Sequence, residues 1–233
     1  MEGLPFLLFA AFGVIALVFA YLGWKQEQAR TQALGELAAR LGFSFAPGKD
    51  ESHDDRFAQF EIFRRGHSRV AINTLHGSVS MFGADCRVVM GDFRYKVTSS
   101  NGKSSSTRTY TFSYVIVRLP WRTPALLIRP EGIFDKVAAA FGFDDIDFES
   151  AEFSRKFLVK SDDKRFAYDV LHPRMMEMLL ATKPPMIDIE LGALCFSDGS
   201  RRWEPSEFER KLAYMGRFAE LWPRHLLTDL GTG

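Results

Sequence analysis

The chain is poor in cysteine and lacks the short motifs that mark common catalytic and cofactor sites. Its 233 residues include two cysteines, Cys86 and Cys195, and five histidines. No histidine stands at a zinc-ligand spacing from a cysteine or a second histidine. No G-x-S-x-G or G-x-G-x-x-G sequence occurs either. We therefore assign no catalytic residue, no cofactor and no metal ligand from the sequence.

The acidic stretch 145–149 departs from a calcium-binding loop. An EF-hand loop that began at Asp145 would require glycine and glutamate at the positions of Ser150 and Lys156. The alternation instead favours exposed acids with Ile146 and Phe148 directed toward the core, and a weak cation site is the alternative.

Excess charge of either sign is also absent. The sequence contains 30 Lys and Arg against 29 Asp and Glu, which gives a formal net charge of +1. Proteins that bind nucleic acid through bulk electrostatics carry a clear basic excess. We therefore expect no nucleic-acid partner.

The run from Leu4 to Trp24 contains no charged residue. It comprises 21 residues, LPFLLFAAFGVIALVFAYLGW. A helix of that length spans about 31 Å, close to the roughly 30 Å of a bilayer core. Tyr21 and Trp24 stand at one end, where aromatic rings favour the headgroup level. The sequence predicts a transmembrane anchor over residues 4–24.

The basic residues around this run predict its orientation. Lys25, Arg30 and Arg40 follow the run, and no Lys or Arg precedes it. The positive-inside rule then places the N-terminus outside and the rest of the chain in the cytoplasm. We expect Tyr21, Trp24, Lys25 and Arg30 to form the membrane interface.

Two alternatives concern the compartment. A cleaved signal peptide requires a basic start and a shorter apolar run than this one. A periplasmic domain held by an uncleaved anchor is the other alternative. Cys86 and Cys195 agree with a reducing compartment, although a disulfide between them stays open at this stage.

The remainder predicts an α+β protein. A juxtamembrane helix is expected over 25–42, followed by a domain over 43–228 that has a largely antiparallel sheet and then a mixed half. Possible subdomains are 43–129 and 130–228. Strands are predicted at 43–45, 57–64, 69–75, 86–98, 108–119, 125–129, 153–160, 187–191 and 194–197, with 57–64 equally compatible with a helix. Helices are predicted at 134–141, after Ser161, after Pro173, and from a capping box at Ser206 to Trp222 as an amphipathic helix.

Methionine is concentrated in one predicted helix. Met175, Met176 and Met178 cover too wide an arc for one narrow buried face. Flexible methionines can form adaptable binding surfaces, although they more often fill cores. These three residues are our candidate partner surface.

The segment 127–159 resembles a family of uncharacterised bacterial proteins with an N-terminal hydrophobic anchor. The matching residues are Arg129, Pro130, Glu131, Asp145, Ile146, Asp147, Phe148, Phe153 and Ser154. The resemblance implies bacterial origin and membrane attachment, hence the inner membrane and a single pass. No activity is established for that family, so it implies no site residue.

The sequence thus predicts a membrane-tethered cytoplasmic domain that acts by binding. Its expected partners are the lipid bilayer and a protein at the membrane. The alternative is a membrane-associated enzyme whose site is assembled from residues distant in sequence.

Overall fold

The computed structural model describes residues 4–102, 104–131, 145–182 and 184–231, with the backbone alone described for residues 4–11. The helix predicted at 134–141 lies outside the described residues. The α-helices are α1 Leu4–Leu41, α2 His53–Arg56, α3 Ala151–Lys156, α4 Lys164–Val170, α5 Pro173–Ala181, α6 Pro205–Glu220 and α7 Arg224–Gly231, and a 3-10 helix covers Glu61–Phe63. The strands are β1 Ser44–Ala46, β2 His67–Met81, β3 Ala84–Ser100, β4 Ser105–Arg118, β5 Leu126–Pro130, β6 Phe157–Ser161, β7 Met186–Glu190 and β8 Ala193–Ser197.

The eight strands form one antiparallel sheet, which confirms the α+β prediction. Their spatial order is β1-β2-β3-β4-β8-β7-β5-β6. The pairing of β4 with β8 joins strands from residues 43–129 to strands from residues 130–228. The two halves considered as subdomains therefore contribute to a single sheet.

Alternate residues of the strands face two separate hydrophobic cores. In β8, Leu194 and Phe196 belong to the core that α1, α5 and α6 cover. Ala193 and Cys195 face the opposite core. That second core is rich in aromatic rings, including Phe57, which directly follows α2, and Phe63 of the 3-10 helix. The segment 57–64 is thus helical in part, the second of its two predicted conformations.

Glycine allows α1 to end and the chain to turn onto the sheet. Gly42 has φ +68°, and the next N–H, of Phe43, donates to Ala38 O at 2.8 Å, as expected for a helix ended by a left-handed glycine. The Phe43 ring then lies over Gly77 of β2, where a Cβ atom would stand 2.1 Å from the ring. The absence of a side chain at Gly77 fixes the position of α1 over the sheet.

The described side chains in the first half of α1 project away from the domain. Every side chain from Phe12 to Gln26 is exposed, including nine large apolar or aromatic ones. The second half packs through Leu34, Leu37 and Ala38, which are buried. Across the part of the chain that is described, no helix has an apolar stretch long enough to cross a membrane. The predicted span of 4–24 includes residues 4–11, whose side chains lie outside that part.

The strand predicted at 153–160 is wrong in its first half. Ala151–Lys156 is helical because Ser150 acts as its N-cap and accepts a hydrogen bond from the N–H of Phe153 at 3.3 Å. Phe153 and Phe157 then stack with ring centroids 4.8 Å apart. The exposed acids of 145–149 do alternate with two buried residues, Ile146 and Phe148, as predicted.

Two predicted helix starts are each displaced by two residues. The N-cap of α4 is Asp163, whose carboxylate accepts from the N–H of Phe166 at 3.1 Å. Ser161 instead donates to Ala125 O at 2.6 Å and ties β6 to β5. The amphipathic helix α6 begins at Pro205 with Glu204 as N-cap, so the predicted cap Ser206 lies inside the helix.

Candidate functional site: a charged cleft and a hairpin arm beside the long helix

A buried ion pair joins α1 to the sheet. Nε and Nη2 of Arg30 donate to the two carboxylate oxygens of Asp92 on β3 at 2.6 and 2.7 Å. The third guanidinium nitrogen donates to Trp203 O at 2.9 Å. Ser113 on β4 donates to Asp92 at 2.6 Å and accepts from the N–H of Trp203 at 2.9 Å. All three guanidinium nitrogens are therefore engaged, and α1 has a fixed position on the domain.

Electrostatics favours the charged form of Arg30 at this position. Burial lowers the pKa of Arg30, but the hydrogen bond and negative charge of Asp92 outweigh it, so the pKa is raised. A second ion pair on the same helix joins Glu27 to Arg202 at 2.6 Å. Both contacts lie between the exposed half of α1 and its buried half, and they hold the helix where it leaves the domain.

A hairpin arm extends beyond the body of the sheet. We define the arm as residues 94–111, the outer part of β3 and β4. The two strands stay paired with each other as far as Ser100 and Ser105. The pairing of β3 with β2 reaches only to Lys96, and the pairing of β4 with β8 starts only at Tyr114. The arm contains four Lys or Arg, nine Ser or Thr and no Asp or Glu. Every described side chain from residue 98 to residue 110 is exposed.

A charged cleft of about 900 Å³ lies at the base of the arm. Its β3 wall presents Arg94 and Lys96, on the same face of the strand as Asp92. The opposite wall comes from the segment before and within α2. Its charged residues are Lys49, Glu51, Asp54 and Asp55. The cleft is open and hydrophilic, so it suits a charged surface better than an apolar ligand.

Charged residues on both walls lack an ion-pair partner within the described ranges. On the β3 wall these are Arg94 and Lys96, and on the opposite wall they are Lys49, Glu51 and Asp55. Asp54 of the opposite wall pairs with Arg69 at 2.7 Å. Arg94 and Lys96 therefore remain available for an external anion. In the same ranges, no group of three or more His, Cys, Asp or Glu residues is arranged to hold a metal ion.

A histidine is buried in the aromatic core behind α2. The rings of Phe57, Phe63, Phe93 and Tyr114 surround His53 at centroid distances of 4.8, 4.8, 5.7 and 4.7 Å. Burial lowers the pKa of His53 to about 3, which keeps the imidazole neutral at physiological pH. Nδ1 lies 3.4 Å from the Tyr114 hydroxyl, while Nε2 has no hydrogen-bond partner among the described residues.

An acid and a thiol are buried side by side in β7 and β8. Asp188 and Cys195 are paired residues of the ladder, and both are fully buried. Burial and then the charge of Glu190 raise the pKa of Asp188 well above its usual value. Neither carboxylate oxygen has a hydrogen-bond partner in the part of the chain that the structure describes. Burial likewise raises the pKa of Cys195. Both cysteines are free thiols in the structure, so the disulfide left open by the sequence is not formed.

The structure separates the four residues predicted at the membrane interface. Tyr21, Trp24 and Lys25 are exposed on α1, and the two rings approach to a centroid distance of 6.1 Å. Arg30 points into the domain and is held by Asp92. Its cation is therefore unavailable to headgroups, and Lys25 is the basic residue beside the aromatic pair.

The predicted methionine surface is largely inside the protein. Met175 is fully buried, so it cannot contact a partner. Met176 and Met178 are half-buried and pack against the core covered by α5 and α6. α5 does begin at Pro173, as the sequence indicates.

Three of the residues that carry the family resemblance contact one another. The hydroxyl of Ser154 accepts from the N–H of Phe148 at 3.0 Å and donates to its carbonyl at 3.2 Å. The rings of Phe148 and Phe153 meet edge to face at 5.4 Å. Arg129, in β5, is buried. These contacts give the motif a structural role in holding α3 against the sheet edge.

The sequence predicted the two strands of the arm, within 86–98 and 108–119, but it did not reveal the Arg30–Asp92 pair. The two residues of the pair are 62 positions apart, so no local pattern joins them. One signal was present, since Asp92 interrupts a strand that otherwise reads as core. Another was the absence of any acid from residue 93 to residue 130, a stretch with seven Lys or Arg.

Comparison with known proteins identifies the fold but no family. No family model matches the chain. No curated protein matches it. The crystal structure of the mycobacterial trehalose monomycolate transport factor A, TtfA, is similar, with a TM-score of 0.54 and 12% identity. The alignment covers 83% of this chain and 96% of that chain. At this identity, the likeness shows that the two proteins share a fold.

Proposed function

We propose that this protein is a membrane-tethered binding or scaffold protein whose folded domain lies in the cytoplasm. The observation that carries the proposal is the division of α1. One continuous helix has an apolar half, in which every described side chain from Phe12 to Trp24 is exposed, and a packed half, and Arg30 between them is bound to Asp92. A soluble protein rarely leaves so many large apolar side chains exposed together. Together with the charge-free sequence of residues 4–24, this supports an anchor that enters a bilayer.

The structural neighbour supports a binding role. TtfA is named a trehalose monomycolate transport factor. We take from that name that this fold can serve in a transport factor. For this chain we propose the coarser role of a domain that binds at the membrane, with the charged cleft and the arm as its contact surface. Tethering raises the local concentration of such a domain near its partner without any new contact.

Lys25 and the free thiols support the proposed cytoplasmic location. Lys25 is the exposed cation directly after the apolar half, and no Lys or Arg precedes that half. Cys86 and Cys195 stay reduced in the fold, which agrees with a reducing compartment.

Membrane extraction of the full chain tests the tether. We expect alkaline carbonate to leave the protein in the membrane pellet, because about 20 apolar residues are costly to move into water. A matched variant with Leu17→Glu and Val18→Glu, both exposed on α1, should move to the supernatant with its domain folded. Release of the unaltered chain by carbonate would contradict the proposal.

A further inference from the structure

The contacts of α1 show which way its apolar half points. Arg30 binds Asp92, and five residues later Gly35 lies against the ring of Phe45. Phe45 in β1 pairs with Leu75 in β2, and Leu75 pairs with Met90 in β3, so Phe45 and Met90 lie at the same level of the sheet. Five helical residues, about 7.5 Å, thus correspond to two residues of β3, about 6.6 Å. Toward its N-terminus, α1 advances in the direction in which β3 runs toward the tip of the arm.

The same relation gives the level at which α1 meets the headgroups. Trp24 and Lys25 precede Arg30 by about 9 and 7.5 Å of helix. A strand rises about 3.3 Å per residue, so the same distances along β3 cover between two and three residues after Asp92. Trp24 and Lys25 therefore lie at a level between Arg94 and Lys96. The arm continues for four more residues, to Ser100, about 13 Å further. A bilayer that holds Trp24 at its surface therefore lies level with Arg94 and Lys96, and an arm inclined toward the bilayer plane keeps its polar tip in the headgroup layer.

The composition of the arm fits a headgroup layer rather than a hydrocarbon core or a protein interior. Lys96 and Arg108 are exposed and have no acidic partner in the described part of the chain. Hydroxyl side chains occupy most other positions. The cross-strand pair Thr98 and Thr107 joins oxygens at 2.9 Å, so some hydroxyls already stiffen the hairpin. Cations and hydroxyls donate hydrogen bonds to phosphate oxygens, and no carboxylate on the arm repels them.

We propose that the β3–β4 arm is a second membrane contact, in which Arg94, Lys96 and Arg108 bind the phosphates of anionic lipids. This inference rests on the tether proposed above. The Arg30–Asp92 ion pair, which we call the clamp, fixes α1 relative to the sheet. Attachment of both α1 and the arm to the bilayer would therefore restrict how the domain can rotate about α1. The charged cleft, which shares Arg94 and Lys96 with the arm, is then held close to the bilayer surface.

Headgroup quenching of a label on the arm tests the contact. The full chain carrying Ser105→Cys is labelled with a fluorophore and reconstituted into phosphatidylcholine vesicles with or without phosphatidylglycerol. The native thiols stay unlabelled, because they are buried in the folded protein and burial raises their pKa. We expect a headgroup-attached quencher to reduce the emission in anionic vesicles and much less in neutral ones. A label at Asp85, exposed at the opposite end of β3, should be unaffected.

Charge variants make the result specific. Each basic residue near an anionic surface changes the ratio of docked to undocked arm about fivefold. Lys96→Thr with Arg108→Thr should therefore lower that ratio about 25-fold. Removing two exposed cations elsewhere, with Arg87→Thr and Arg155→Thr, should leave the quenching unchanged. High salt should weaken it, because screening shortens the range of the attraction.

The outcomes separate the arm from the tether. Quenching at residue 105 that is equal in neutral and anionic vesicles, or that survives removal of Lys96 and Arg108, would overturn the arm contact while carbonate resistance keeps the tether. A chain that carbonate extracts but that shows salt-dependent quenching would keep the arm contact and overturn the tether. A chain that neither resists carbonate nor shows quenching would overturn both.

Discussion

Arg30 on α1 and Asp92 on β3 form a two-point ion pair at 2.6 and 2.7 Å in which Asp92 is completely buried. The pair lies at the point where α1 changes from an exposed helix to a packed one. It fixes the angle at which the apolar half leaves the domain. In the tethered protein, the same contact would set the orientation of the arm and the cleft toward the bilayer.

Removing one member of this pair should destabilise the domain strongly. Arg30→Met leaves the Asp92 carboxylate buried without a cation, and we expect a loss of about 3–5 kcal/mol in the free energy of unfolding. The double variant Arg30→Met with Asp92→Leu should recover most of it, since no charge remains buried. Urea denaturation of a fragment of residues 26–233 measures both. The exposed pair Arg40–Glu209 is the control, and Arg40→Met should cost no more than about 1 kcal/mol.

Because Arg30 contributes to the Arg30–Asp92 pair, the expected N-terminal boundary of the folded domain lies before residue 30. The sequence alone suggests that a fragment beginning near Gln32 is soluble and folded. That fragment lacks Arg30 and also Thr31, whose hydroxyl lies 3.0 Å from the side-chain oxygen of Asn73. We expect a fragment that begins at Gln26 to need clearly more urea for unfolding. Equal midpoints for the two fragments would show that the clamp contributes little.

His53 should make stability fall with acid. Its pKa is lowered by burial to about 3 in the folded chain and is about 6.5 when unfolded. The unfolded state therefore binds the proton first, and stability is present above pH 6.5 and lost as pH falls toward 3. The slope from this residue reaches about 1.4 kcal/mol per pH unit. His53→Phe should flatten the profile between pH 6.5 and 5, whereas His225→Gln, at an exposed site, should not.

Asp188 should have the opposite pH dependence. Its raised pKa means that the folded state keeps a proton which the unfolded state releases above about pH 4. The stability contribution is complete below that pH and is lost as pH rises toward the folded pKa. Asp188→Asn should therefore stabilise the protein at pH 7 by an amount that shrinks toward pH 4. A thermal melt series over pH 4–8, with Asp85→Asn as an exposed control, measures it. A variant less stable than wild type at pH 7 would contradict this account.

Reporter fusions should place the C-terminal end in the cytoplasm. A reporter that fluoresces only in the cytoplasm, fused after Gly233, should be active, and one that works only in the periplasm should be silent. Glu2→Lys with Lys25→Glu should shift some molecules to the opposite orientation, because the positive charge then precedes the apolar run. Arg30 is left unchanged in this design, since its substitution would break the clamp. Activity of the periplasmic reporter alone on the unaltered chain would reverse the proposed location.

Strands and amphipathic helices could be predicted from the sequence because their residue patterns are local. The alternation of Phe112, Tyr114 and Ile116 with Ser113 and Val115 predicts a strand, and the structure buries the two sets on opposite faces. The amphipathic face of α6 was equally visible. Helix starts were less visible, because Ser150 and Asp163 act as caps only where the following backbone turns toward them. The candidate surface at Met175 failed for a tertiary reason, since Met175 and Leu179 of α5 are fully buried in the hydrophobic core.

The sequence by itself determined the α+β class, most strands, the continuous helix after residue 25 and the charge-free run before it. These depend on periodicity and composition, which each segment carries without reference to its neighbours. Only the tertiary structure decided that Arg30 belongs to the domain, that Asp92 receives it, and that the acid-free stretch after Asp92 forms an arm beside α1. Those relationships join residues far apart in the chain, and the strand order and register that bring them together are set by packing across the whole sheet.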